Sequence, residues 1–473
     1  MPVKKVLLVL AGAVILGGCA ANTSQVKKLN NKELAEYDLA LEQARQQFLS
    51  GQHDNASCLV EPLCKERTAN LPLYQSELGI YYLACNNKQK AKQCLLEAYT
   101  SIENFFDATS EKKAVSLWGS EAEKVFKGDP YERSTLSLFL GLLMLEEGDF
   151  DNAIACLKNG QMADSDVAEE KYKSDYGLLQ FLEAKCYQFR GEEDKYQETK
   201  NRAMDSFACT HPYFLNWTAN NKPPAQEHST SQEASQASEE ASRTYESQSI
   251  KVKQEAYSRC QAYCNPLVKP FNTLLLVWTG RSPEMARSGQ YGEKRILIKN
   301  PNPEIHFEVQ LDSKDWYDEI YGYADITFQA TTRGGRMMDD VLASHAAFKQ
   351  TTQNVGNTMF DAANNTSDPY AKLTLLAIGL VASGVSNSAN ASADIRCLRS
   401  LPDDIGIIPL SLLPGDHAVT VYCYDRNLKL TRSITQTIVV NTKPFQFYNV
   451  VVPYIKDAPP EVNELEAKKV VLN

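Results

Sequence analysis

The sequence has no run of lysine and arginine, no apolar stretch long enough to cross a bilayer, and only six histidines, at 53, 211, 228, 306, 345 and 417. Each shortage excludes something. A span needs about 20 apolar residues, and the apolar stretches Val6–Gly18 and Leu373–Val385 fall short of it. The net charge is −10, and loss of Lys4 and Lys5 would deepen it to −12. Without a basic patch, that balance argues against general nucleic-acid or anionic-membrane binding. No two histidines stand in the His-x-x-x-His spacing of a zinc protease, and no Gly-x-Ser-x-Gly elbow is present. Arg333-Gly334-Gly335-Arg336 lacks the Lys-Ser/Thr of a phosphate loop and reads as a strand-to-helix turn. No cofactor or metal site is expected, and the chain is expected not to be an enzyme.

What is present begins at the N-terminus. Lys4 and Lys5 precede the uncharged apolar segment Val6–Ile15, which ends in Leu16-Gly17-Gly18-Cys19. Lysines hold the cytoplasmic side while a short apolar helix enters the translocon. Small residues admit the lipoprotein signal peptidase, and the Cys19 thiol is where the lipid is attached. Residues 1–18 are therefore expected to be a signal peptide and 19–33 a tether. By resemblance to lipoprotein sorting in Gram-negative bacteria, Ala20, where a retention signal would place Asp, favours the outer membrane. The periplasmic face of a bacterial envelope is the expected location. Multiple acyl chains anchor stably where one is marginal.

The other eleven cysteines would then lie in an oxidising compartment, where disulfides are permitted. An odd number leaves at least one unpaired or paired between chains. Cys397 and Cys423 are the candidate bridge, one that would contribute about 2–4 kcal/mol. Cys260-x-x-x-Cys264 has no second pair or nearby histidine to complete a zinc site.

The remaining chain is too long for one ordinary domain. Residues 34–217 carry helix formers with apolar residues at three- and four-residue spacing. A template recurs there. Gly79, Tyr82, Ala91, Leu95 and Ala98 fit it, and so do Gly141, Met144, Ala153, Leu157 and Gly160. Weaker fits are Ala184, Tyr187, Tyr196, Lys200 and Ala203, and Ala44, Gln47, Ala56, Val60 and Leu63. This pattern resembles the tetratricopeptide repeat, a helical hairpin whose small and large positions mark helix contacts. The first interval, 35 residues, is near the repeat length of about 34, while 62 and 43 require insertions. Three to four hairpins with a concave, protein-binding face are expected. Asp129-Pro130 with Glu132 reads as a capping box that starts a helix after Phe126-Lys127-Gly128. A binding role for Tyr131 and Glu132 is the sharper alternative.

Residues 218–249 hold one bulky apolar residue, Tyr245, and read as a low-complexity linker. Residues 250–455 open with a helix, Lys251–Cys264, and turn to strands at Thr273–Thr279, Arg295–Ile298, Ala324–Gln329, Ala418–Tyr424, Ile434–Val440 and Phe445–Val452. Helices are expected at Arg336–Ala363 and Tyr370–Asn390. Leu413-Pro414-Gly415-Asp416-His417 reads as a tight turn with an exposed His417, resembling turns of β-sandwich modules. Asp394 and Arg396 read as a structural ion pair. Residues 456–473 form a tail. The expected class is α+β: a TPR-like all-α hairpin domain, a linker, and a mixed β-sandwich-like domain with helical insertions.

Five segments together resemble a family of bacterial envelope lipoproteins, without established activity, that join helical repeats to a C-terminal β-rich domain. They are Phe126–Glu132, Thr279-Gly280-Arg281-Ser282-Pro283, Ala393-Asp394-Ile395-Arg396, Leu401-Pro402-Asp403-Asp404-Ile405 and Leu413–His417. Cys397 and Leu398 follow Arg396 where that family has an aromatic residue. The resemblance implies architecture and location. The leading functional expectation is a membrane-anchored, non-enzymatic scaffold whose repeats bind an envelope protein. One alternative is a regulator or assembly factor of cell-wall or secretion machinery. Another, of a different class, is a glycan-binding or glycan-processing protein, which needs paired carboxylates around a cleft.

Overall fold

Asn30 starts the first helix, α1 (Asn31–Leu49): its Oδ1 accepts from Lys32 N and Glu33 N, and Glu33 accepts from Asn30 N. That is a complete capping box. Three features follow in order: α2 (His53–Val60), a 3-10 turn (Glu61–Lys65), and a hairpin of α3 (Leu71–Ala84) and α4 (Lys88–Phe106). Two further hairpins are α5 (Pro130–Glu147) with α6 (Phe150–Asp164), and α7 (Gly177–Phe189) with α8 (Glu193–Thr210). The chain is a mixed α+β protein, with these helices first and strands after them. Its structure, a computed structural model, describes residues 27–106, 125–164, 176–210, 243–258, 270–288, 294–300, 302–318, 322–332, 393–454 and 461–464.

The two hairpins with the strongest template fit are built on the same contact. A Cβ on Gly79 would lie 2.6 Å from Leu95, and one on Gly141 would lie 2.6 Å from Leu157. Glycine is therefore required for the close approach of each helix pair, not for a turn. Gly148 does serve a turn: it ends α5 at φ +78 in the left-handed region. Helices α3, α5 and α7 are buried nearly all round. A helix so enclosed has neighbours on every side: its own hairpin partner on one, the C-terminal half on the other.

That half supplies eleven described strands: β1 (Thr273–Thr279), β2 (Arg281–Ser288), β3 (Lys294–Asn300), β4 (Glu304–Leu311), β5 (Asp315–Asp318), β6 (Gly322–Asp325), β7 (Asp404–Leu410), β8 (Gly415–Asp425), β9 (Leu430–Val440), β10 (Gln446–Val451) and β11 (Glu461–Glu464). A helix over 243–258 precedes them, which for the sake of order is α9, and α10 (Ile326–Thr332) follows β6. The strands form three sheets, ordered β10-β1-β7-β6, β11-β3-β2 and β5-β4-β8-β9.

The first sheet is the middle layer. Along β1, Leu274, Leu276 and Trp278 join the cluster that contains the helices, while Leu275 and Val277 join a second cluster with Val309, Val419, Val421 and Ile438 of the β5-β4-β8-β9 sheet. β7 alternates likewise, with Ile405 and Ile407 toward the helices and Ile408 and Leu410 away. Burial on both faces explains why Thr-Leu-Leu-Leu-Val-Trp-Thr reads as a continuous apolar run.

Several expectations need correction. Ala324–Gln329 is not one strand: β6 ends at Asp325, whose Oδ1 accepts from Phe328 N and starts α10. The segment expected to close the linker is already helical from 243, ahead of Lys251. Part of the expected tail, Glu461–Glu464, pairs antiparallel with β3. Cys397 and Cys423 are both free thiols. Cys397 belongs to the helix-side cluster and Cys423 to the cluster beyond the middle sheet, so that sheet stands between them. Cys19, the signal peptide, Cys260, Cys264, His211, His228, His345 and both expected helices between 336 and 390 lie outside the described residues.

Candidate functional site

The helices meet the C-terminal half through a segment that α1, α3 and α5 all bond. Residues 393–403 form an irregular strap, turned at Arg399–Ser400, between the middle sheet and the helices, with Cys397, Leu398 and Leu401 buried. Charged groups on three helices grip its backbone. From α1, Arg45 donates to the Cys397 carbonyl at 2.8 Å and to Glu77 Oε1 at 2.6 Å. Glu77 of α3 also accepts from Arg399 N at 3.2 Å. Glu132 of α5 accepts from Leu398 N through Oε1 and from Asp129 N through Oε2, the latter at 2.6 Å. Glu77 and Glu132 have no exposed surface. A buried carboxylate is costly unless it is bonded on site, and these two are bonded to the strap. Burial alone would lower the Arg45 guanidinium, but Glu77, Tyr81 and Cys397 together hold it well above its ordinary range.

Side chains complete the fit. Arg396 forks onto Asp394 at 2.9 and 2.7 Å, donates to Asn70 Oδ1 at 2.7 Å, and lies over the Phe126 ring. Arg399 reaches Glu42 at 2.7 Å and Glu284 at 2.9 Å. Ser400 Oγ bonds to Tyr81 OH at 3.1 Å. On the sheet side, Ser282 donates through Oγ to Leu398 O and through N to Leu401 O, and Asp403 N donates to Thr279 O. Beside the strap, Asp129 holds both carboxylate oxygens within 2.9 Å of Arg295 NH1.

A second clasp holds β10. At the α3–α4 turn Asn86, at φ +54, accepts from Asn449 N at 2.9 Å and donates to Asn449 O at 3.0 Å. Its side-chain amide thus imitates a neighbouring strand. Asn449 Nδ2 returns a bond to Leu83 O at 3.0 Å, and Lys88 reaches Phe447 O and Glu146.

Four of the five segments singled out in the sequence meet at this junction. The capping box forms as expected, and Glu132 also bonds within the chain to the strap, which is a structural contact. Asp394 and Arg396 form the expected ion pair, though on irregular chain and not on a strand. His417 lies at the start of β8 and is half-buried, not a fully exposed turn residue. The key partners Arg45, Glu77, Arg295, Asn86 and Asn449 were not found from sequence. The one available signal was polarity out of place: Glu77 interrupts the apolar run of α3.

Also missed was an acidic corner at the end of the middle sheet. Asp404 of β7 stands opposite Asp325 of β6 in register, with Asp403 adjacent. Burial and mutual repulsion push Asp404 well up, and Asp403 to about 7. Oδ1 of Asp403 and of Asp404 are enclosed without a hydrogen-bond partner. Lys299 opposes the charge of Asp403 and Asp325. Thiol chemistry on the strap is suppressed, since burial pushes the Cys397 thiol up to about 12.

Compared with family models, curated proteins and solved structures, the chain matches none.

Proposed function

We propose that this chain is a non-enzymatic scaffold of a bacterial envelope, lipid-anchored through Cys19, in which TPR-like hairpins and a β-sandwich-like half act as one protein-binding unit. The grip on the strap carries this reading. Arg45, Glu77 and Glu132 read main-chain groups, which is peptide-recognition chemistry, and here it serves to lock the two halves together. With those groups engaged in cis, a protein partner is expected on the outer surfaces. The resemblance to envelope lipoproteins and the lipobox support the location, the outer membrane being favoured by Ala20. A specific client would make the chain a regulator or assembly factor of cell-wall or secretion machinery. The test is palmitate labelling with membrane fractionation and in-cell cross-linking, comparing wild type with Cys19→Ser. Label and membrane retention should vanish in the variant, together with its cross-linked partner. Equal membrane retention of both proteins would sink the anchor.

A glycan-processing reading has one observation in its favour, the acidic corner, where a carboxyl group stays protonated toward neutral pH. Hydrolysis of cell-wall glycan by wild type and not by Asp404→Asn would replace the scaffold reading.

A further inference from the structure

The Leu413–His417 segment takes no part in the strap junction. It enters β8, and its histidine has an unusual pair of neighbours. Nδ1 of His417 lies 2.7 Å from Asp312 Oδ2, and Nε2 lies 2.9 Å from Leu413 O. Both neighbours are acceptors. A neutral imidazole carries one N–H, so it can satisfy only one of them and turns a lone pair toward the other oxygen. The imidazolium carries two and satisfies both.

The two acceptors differ in how firmly they are held. Asp312 is fixed at the β4–β5 turn: its Oδ1 accepts from Ala418 N at 2.8 Å, and its N–H donates to Ala418 O at 2.9 Å. It adopts φ +49, followed by Ser313 at +56, a strained pair that these bonds hold in place. On the other side, Leu412 is tied to Asn272 at 3.0 and 2.7 Å. From Leu413 to Gly415, the first residue of β8, the tip stands out, with Leu413 80% exposed and open space around Gly415.

We infer that His417 is a proton-operated latch: its imidazolium bridges the Leu413 carbonyl to Asp312, and loss of the proton to solvent frees the Leu413–Gly415 tip. The charged groups acting on the ring are Asp312 from the β4–β5 turn and Asp416 on its own strand, with Lys314 acting on Asp312. Ile438, opposite it on β9, carries no charge. The Leu413 carbonyl first, then the Asp312 carboxylate, raise the ring above its ordinary 6.5. The ring in turn holds Asp312 below the usual carboxylate range. A raised histidine stabilises the latched form fully below the released-ring value, and that contribution is lost as the pH rises through the latched value.

The test is hydrogen exchange of the tip amides in the full chain from about pH 5.5 to about pH 8.5, corrected for intrinsic rates, with the His417 ring titration followed by NMR. The ring should titrate above 6.5. Protection of Gly415 and Asp416, at the start of β8, should fall as it does so, by up to about tenfold per pH unit separating latched and released values. His417→Gln should show the high-pH protection throughout. Protection that stays flat in wild type, or a ring that titrates at or below 6.5, overturns the latch. So does a His417→Gln chain that keeps the wild-type pH response. Should that variant not fold, the wild-type titration decides alone.

Discussion

Glu132 shows how one carboxylate can start a helix and hold a distant loop together. Its two oxygens serve Asp129 N and Leu398 N, 266 residues apart from the latter. Glu132→Ala would leave two buried N–H groups without an acceptor, each costing about 1–3 kcal/mol. A loss of about 2–5 kcal/mol is expected in urea unfolding; a change below about 1 kcal/mol would mean that water replaces the carboxylate freely. Asp129 and Arg295 form a buried pair, with side chains 7% and 5% exposed. Removing either partner alone should cost about 3–5 kcal/mol, and removing both should cost much less than the sum, because the lone survivor is the main penalty. A double-mutant cycle reads this directly. Asp403 acts in the opposite sense. Its folded value of about 7 exceeds the ordinary 3.8, so across that window the native chain keeps a proton that the unfolded chain has released. Stability should therefore fall as the pH rises from about 4 to about 7. Asp403→Asn should flatten that slope and raise stability at pH 7 by about 1–3 kcal/mol, reduced from the full linkage value by partial exposure. Melting temperatures of the two proteins at low and neutral pH settle it; equal slopes would discount the acidic corner.

At the scale of elements, the hairpins depend on glycine as a spacer. Gly141→Ala gains about 1 kcal/mol of helix propensity but drives a methyl group against Leu157, which is fully buried and has nowhere to swing. Overpacking costs about 1–3 kcal/mol, so net destabilisation is expected, and the Gly141→Ala, Leu157→Ala double variant should lose less than the two singles summed. Gly79 with Leu95 should behave in parallel; additivity in both hairpins would show that the helices separate easily. These contacts were legible because they are local: a small residue and a large one sixteen positions on, repeated. β1 was legible too, from its apolar run and from Gly280, which ends it at φ +66 with Asp403 packed where a Cβ would stand. β2 was not, because Pro283 within it argues against a strand. β4 alternates plainly, Phe307, Val309 and Leu311 inward, yet its short polar-rich pattern is easily passed over. The α10 start at Asp325 was mistaken for more strand because Ile326, Thr327 and Phe328 are β-formers by propensity.

Across the whole molecule the decisive contacts join residues more than 300 positions apart, such as Arg45 with Cys397 and Asn86 with Asn449. No local pattern records such a pairing, which is why the sequence reads as two units on a linker while the helices and one face of the middle sheet share a core. The helix-side cluster runs from Leu41 through Trp278 to Phe447 without a break. Phe139 stacks on Trp278 at 5.1 Å, and Phe189 meets Phe445 edge-on at 6.2 Å. Cut free of the C-terminal half, α3, α5 and α7 would present one apolar face each to water, Glu77 would lose Arg399 N and Glu132 would lose Leu398 N. A fragment of residues 27–210 is therefore expected to keep much of its helix but lose cooperative unfolding and bind a hydrophobic dye, as loosely packed states do. Supplying the remaining chain as a separate polypeptide should restore a cooperative transition, since the junction is built from side chains and needs no covalent link. The measurement is calorimetry of the fragment alone and of the mixture. A sharp, dye-free transition from the fragment alone would mean that the hairpins are a self-sufficient repeat domain. The face that bonds the strap would then be open to outside partners whenever the strap leaves it.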